Sequence, residues 1–207
     1  MDYLTRPKTL AVAFLAVAGL TLTACNSPDE SAQEPAEGTT SQEVSWTTIK
    51  GFKVPASETS PANTDTMPPT GYEQDNFGAA LAAANLSIAL DSASERDFGE
   101  ILNIATVNDE GRKQWAAARA GLIVGQPQTD KMPDLLAWTS ELSEDKATAT
   151  IFLYWQQWDG SLTEQRRELV WQEGDWKLKL PANPQTPQLR AVVEVPPEAT
   201  EFTPPSN

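Results

Sequence analysis

Hydrophobic and polar positions divide the chain into stretches of different character. Leu10 to Leu22 is almost wholly apolar and follows Arg6 and Lys8, whereas Asn26 to Ser45 holds a single apolar side chain larger than alanine, Val44. The second stretch cannot bury enough apolar surface to offset the entropy of ordering, so residues 25–45 are expected to form a disordered tether. Trp46, Ile49, Phe52 and Val54 then interrupt polar residues and give way to a Ser/Pro/Thr-rich run. That is the pattern of an extended segment, residues 46–70, that docks on a domain and loops away.

From Asp75 the apolar period becomes helical. Phe77, Leu81, Ala84 and Ile88 recur at helical spacing after a capping Asp75 or Asn76, and Ala80, Ala83 and Ala84 supply a small-residue face for close approach to a sheet. A second helix is expected after Ser94, with Phe98, Ile101, Leu102 and Ala105 inward. A third, Asn108 to Val124, would carry Trp115, Ala118 and Leu122 on one face and stop at Gly125.

After Pro133 the period shortens to that of strands. Leu136 to Leu142 reads as one, Ala147 to Trp158 as a second, Ser161 to Trp171 as a third and Trp176 to Leu180 as a fourth. Asp159-Gly160 signals a two-residue hairpin, and Gln172-Glu173-Gly174-Asp175 the next turn. The expected class is α+β, three N-terminal helices packed on a curved antiparallel meander of about four strands, within a domain of residues 71–181. Residues 182–207, interrupted by Pro184, Pro187, Pro196, Pro197, Pro204 and Pro205, read as a proline-rich tail in which only Leu189 to Val195 could be a strand.

The N-terminus adds localisation. A basic start followed by an apolar run too short to span a bilayer is the layout of a signal peptide, residues 1–24. It ends at Leu22-Thr23-Ala24-Cys25, which holds the chain's one cysteine and resembles the lipobox of bacterial lipoproteins. The resemblance implies cleavage before Cys25 and a diacylglyceryl group on its sulfur, two acyl chains being enough for stable anchoring where one is marginal. An ordinary secretory signal with a chance cysteine, or an uncleaved anchor, would share part of this pattern.

Charge and composition exclude much else. The 207 residues carry a formal net charge of −14 and no histidine. Nucleic acid, which needs a basic stripe to neutralise phosphates, is not an expected partner. Without histidine and with a single cysteine, no Cys/His zinc site and no Ser-His-Asp or Cys-His nucleophile can be built. No phosphate loop or dinucleotide fingerprint occurs either, so no cofactor, no metal and no catalytic residue are expected.

The Gly174-Asp175-Trp176-Lys177-Leu178 turn, placed after helices and strands, resembles an element of the cystatin-like cone fold of nuclear transport factor two and scytalone dehydratase. More closely, the chain is similar to an uncharacterised family of exported actinobacterial proteins. The similarity lies in Trp46, Gly51 and Val54-Pro55-x-Ser57, in Gly71-Tyr72 and Gly78-Ala79-x-x-Ala82-Ala83, and in Trp171-x-x-Gly174-Asp175-Trp176-Lys177-Leu178. Ser60-Pro61 departs from an expected Gly-Pro, and Gln74 to Asn76 replaces a His-Thr-Pro-like segment. The resemblance implies a cone with a cavity, and a place in a cell-envelope or transfer assembly.

Three functions then compete. The first is a non-catalytic interaction domain, lipid-anchored through Cys25 on the extracytoplasmic face of the cell membrane, whose partner is an envelope protein or a second copy. In its favour, the strand Ala147 to Trp158 is apolar on both sides, Ala149, Ile151, Leu153 and Trp155 on one and Phe152, Tyr154 and Trp158 on the other, so both sides need a cover. Helices would supply one; the tail, a copy or a partner would supply the other. The second is a small-ligand carrier or sensor with Trp115, Tyr154, Trp155 and Trp176 lining a pocket. The third is an enzyme using a buried Asp97, Glu100 or Glu168, of which Glu168 is the best placed.

Overall fold

The computed structural model describes residues 40–122, 125 and 128–203, all within the compact unit Glu37–Asn207. Strand β1 (Ser41–Glu43) comes first, followed by the hairpin β2 (Ser45–Ile49) and β3 (Phe52–Ala56). Helices α1 (Asn76–Asp91), α2 (Phe98–Ala105) and α3 (Glu110–Arg119) follow. Strands β4 (Asp134–Leu142), β5 (Thr148–Gln156), β6 (Leu162–Gln172), β7 (Asp175–Lys179), β8 (Leu189–Val192) and β9 (Thr200–Thr203) complete the chain.

The expected arrangement of N-terminal helices on a four-stranded cystatin-like meander is not the one found. Strands precede the helices, and the main sheet is mixed and seven-stranded, in the order β1-β9-β4-β5-β6-β7, with β8 beside β6; β2 and β3 form a second small sheet. The cause lies in segments that look weak by composition. Ser41–Glu43 falls within the expected tether, yet it pairs in parallel with β9, and the adjacent Val44 is buried. The tail contributes β9 between β1 and β4, and Phe202 enters the core there. Such strands are made by long-range pairing, which local periodicity does not report.

Helix α1 is the centre of the fold rather than a one-sided amphipathic helix. Every residue from Gly78 to Leu90 is buried, because the sheet, the β2–β3 hairpin and α2 all pack against it. Asp75 accepts a hydrogen bond from the Gly78 amide at 2.7 Å and caps the helix. Asn85, buried in mid-helix, donates to the carbonyls of Pro55 and Leu81 and so ties the hairpin to α1. Residues 46–56, read as a docking segment, are therefore part of the core through Ile49 and Val54.

Helix α3 is shorter than its expected span and buries a different face. Gly111 lies against the Leu180 carbonyl, where a Cβ would come to 2.0 Å, so the inward face is Gly111, Trp115 and Arg119. Leu122, expected inside, is exposed, as is Ala118. The β6–β7 turn has Glu173 and Gly174 at positive φ, as a tight two-residue hairpin needs. The β5–β6 turn differs from expectation: Gln157 pairs with Ser161, so its loop is the three residues Trp158, Asp159 and Gly160.

Candidate functional site

The two sides of β5 end up under different covers. Ala149, Ile151, Leu153 and Trp155 join the core beneath α1. Tyr154 and Phe152 face the other way and pack with Ala137, Leu136, Val192, Val195 and Ala199, the last three supplied by the C-terminal segment. On that side Glu164 is buried and takes both Nε and Nη2 of Arg190, at 2.6 and 2.8 Å, which clamps β8 to β6. Tyr154 Oη lies 3.3 Å from Thr139 Oγ1, and its pKa is raised, chiefly by burial.

On the α1 side the cover is incomplete. A groove of about 400 Å³ opens at the C-terminal end of α1, walled by Ser87, Ile88, Asp91 and Ser92 of the helix. Trp155, Gln157 and Gln165 form the opposite wall, and Phe52, Pro133 and Leu189 the rest of the rim. The Trp155 indole N–H donates to Gln165 Oε1 at 3.2 Å, which fixes the ring. Asp91 is the one ionised side chain among the described lining residues.

Asp91 is paired from behind. Arg167 donates through Nε to Ser87 Oγ at 2.7 Å and through Nη2 to Asp91 Oδ2 at 3.3 Å, with 14 % of its side chain exposed against 55 % for Asp91. Burial holds the Arg167 pKa down, opposed by Asp91, and raises that of Asp91, opposed by Arg167. Water reaches Asp91, but from within a concavity, so the surrounding protein still penalises its charge. A smaller cavity of about 60 Å³ lies on the other side of this pair, lined by Ser87, Asp91, Arg167, Trp115, Leu178 and Pro184 among others.

The aromatic residues proposed from sequence as pocket or interface do not form one site. Trp155 lines the groove, and Trp115, stacked on Phe98 at 5.2 Å between centroids, reaches the smaller cavity. Trp176 is fully buried and donates to the Glu73 carbonyl at 2.8 Å, so its work is structural. Phe152 and Tyr154 lie on the tail side, and Trp158 stands in the β5–β6 loop, 62 % exposed, with the Lys131 ammonium 5.3 Å from its ring centroid. Cys25 lies outside the described residues.

The candidate acids are spread over the surface. Glu168 pairs with Arg166 at 2.7 Å, Asp97 accepts from Ser94 Oγ and pairs with Lys50, and Glu100 is exposed. Among the described residues no group of His, Cys, Asp or Glu could hold a metal ion. Asp91 was missed as a site residue because in sequence it is one acid among 29 Asp and Glu; only the fold sets it across the groove from Trp155.

Two motif stretches far apart in sequence meet beside β7. Asp175 accepts from the amides of Gly71, Tyr72 and Trp176 at 2.8, 3.0 and 2.9 Å, and Gly78 packs so closely on Glu73 that a Cβ would lie 2.1 Å from its carbonyl. The family model described as "Domain of unknown function (DUF8175)" matches residues 9–197. The chain belongs to that family. No curated protein and no solved structure matches it. Among its described residues no helix is long and apolar enough to cross a membrane.

Proposed function

We propose that this DUF8175 member is a non-catalytic binding domain that holds a small amphiphilic molecule in the groove at the end of α1. The observation that carries this reading is the groove itself, at about 400 Å³ within the range of small-molecule sites, with a fixed indole on one wall and a carboxylate on the other. A protein-partner reading drew on the second apolar side of β5, where the chain's own C-terminal segment covers Tyr154 and part of Phe152, which stays half-buried beside a cavity of about 280 Å³. The scattered acids Asp97, Glu100 and Glu168 give an enzyme no assembled site.

The location belongs to the same proposal: an extracytoplasmic domain anchored to the cell membrane by lipid on Cys25, supported by the Leu22-Thr23-Ala24-Cys25 sequence behind a basic and apolar leader. Binding is tested with 4-phenylbutanol, followed by thermal shift. Saturable stabilisation of the wild type, lost in Leu189→Trp, which fills the rim from an exposed position, is the expected result. No stabilisation at millimolar probe would overturn the reading. Metabolic fatty-acid labelling of wild type, absent in Cys25→Ala, tests the anchor; equal labelling of both chains would refute it.

A further inference from the structure

We infer that the groove selects a cationic amphiphile, an ammonium group on an apolar or aromatic body, with the charge seated on Asp91 and the body against Trp155. The inference rests on the groove reading above and adds the head group. Its first support is charge. Asp91 is the one ionised group among the described lining residues; Ser87, Ser92, Gln157 and Gln165 are neutral, and Phe52, Ile88, Pro133, Trp155 and Leu189 are apolar. An anionic head group would meet a carboxylate there with no cation on the wall.

The second support is the open side of Asp91. Arg167 engages Oδ2, while Oδ1 has no hydrogen-bond partner among the described residues, and 55 % of the side chain, which lines the groove, is exposed. A carboxylate of this kind gains most from a donor that carries positive charge. Arg167 does not compete for the groove: its Nε is spent on Ser87, it is largely buried, and it lines the smaller cavity instead.

The third support is the helix. Asp91 is the last residue of α1, whose final turn holds no basic residue, so the partial negative charge of the helix end adds to that of the carboxylate. Arg119 is the other nearby cation. It donates to the carbonyls of Ala93 and Leu122 and lies 5.3 Å over the Phe98 ring, outside the groove lining. Trp155, only 6 % exposed, lines the groove at its edge, and an aromatic ring beside the ligand also favours an adjacent ammonium.

Three probes of one skeleton test this: 4-phenylbutylamine, 4-phenylbutanol and 4-phenylbutyrate, titrated calorimetrically into the full chain. The amine is expected to bind at least about tenfold more tightly than the alcohol, as a charge-assisted hydrogen bond should give, and the carboxylate most weakly. In Asp91→Asn the amine should lose its advantage, the ratio of amine to alcohol affinity falling to about one. Because that variant leaves Arg167 without its carboxylate and could unfold, Ser92→Lys is the second probe. It sets a competing ammonium beside Asp91 with the Arg167 pair intact, and should bring the ratio of amine to alcohol affinity to about one. Equal affinities for amine and alcohol in the wild type, or a preference that survives Ser92→Lys, would overturn the inference and leave the groove reading standing. Binding of none of the three would overturn both.

Discussion

The two sides of β5 are made of similar residues and closed in different ways. Beneath α1, Ile151 and Leu153 are fully buried in a cluster that runs from the β2–β3 hairpin through the helices to Phe202. On the reverse side Tyr154 sits in a small cluster with Ala137 and Ala199, roofed by one pass of chain and fastened by the Glu164–Arg190 pair. Apolar sequence on a strand therefore states that a cover exists, and not how deep it is. The deep side carries the stability; it also holds the opening at the end of α1, where the helix stops and Trp155 is left with a groove in front of it.

That contrast can be broken by truncation on each side. Leu153→Ala should cost about 2–5 kcal/mol in urea unfolding, from lost burial and a cavity that a rigid core cannot close. Phe152→Ala, on a half-buried position across the sheet, should cost less than half as much. Equal losses would mean that the tail-side cluster is as cohesive as the core. Asp175→Ala removes the acceptor for three backbone amides that hold Gly71 and Tyr72 to β7, and should cost about 2–3 kcal/mol, measured the same way.

On the tail side Arg190→Ala leaves the buried Glu164 carboxylate without its partner. The expected outcome is faster amide hydrogen exchange in Leu189–Val192 with β5 amides unchanged, which would show the strap opening alone. Matching acceleration in β5 would join the two sides into one cooperative unit.

Tyr72 sharpens the account of the deep side. Its hydroxyl is buried with no hydrogen-bond partner among the described residues, and Asn85, though close enough to affect it, spends its amide on Pro55 and Leu81. Burial, with Asp175 adding to it, holds the Tyr72 pKa well above its ordinary 10.0, so the folded chain keeps this proton and loses stability as pH rises past that value. Tyr72→Phe should raise stability by about 1 kcal/mol and flatten the alkaline decline.

The smallest expected effect is on the acid side. The Asp91 pKa is raised from 3.8, so between that value and the raised one the folded state binds the proton more tightly, and stability falls as pH rises through the window. Asp145 and Asp159, in exposed turns, have lowered pKa values and slope the other way, losing their contribution as pH falls. The difference in slope between wild type and Asp91→Asn isolates the groove carboxylate; no difference would place it outside any desolvating wall.

Much of the middle of the chain was legible because local chemistry decides it. The capping Asp75, the inward Ile101, Leu102 and Ala105, and the Glu173-Gly174 turn follow from short-range rules. What was not legible depends on distant partners. Ser41–Glu43 becomes a strand only because Glu201–Thr203 lies beside it, and Arg119 turns inward only because Phe98 and Ala93 wait for it. The groove has the same origin. Trp155 could be picked out as an aromatic lining residue, whereas Asp91 became its counterpart through the position at which α1 ends over the sheet.

The central claim is that Trp155 walls a ligand groove while the buried Trp176 serves the fold. It is tested most directly by titrating 4-phenylbutylamine into the 15N-labelled chain and following the indole N–H signals. The predicted result is a saturable shift of the Trp155 indole with that of Trp176 unmoved; a Trp155 signal that stays in place while the probe is bound elsewhere, or while nothing binds, would contradict it.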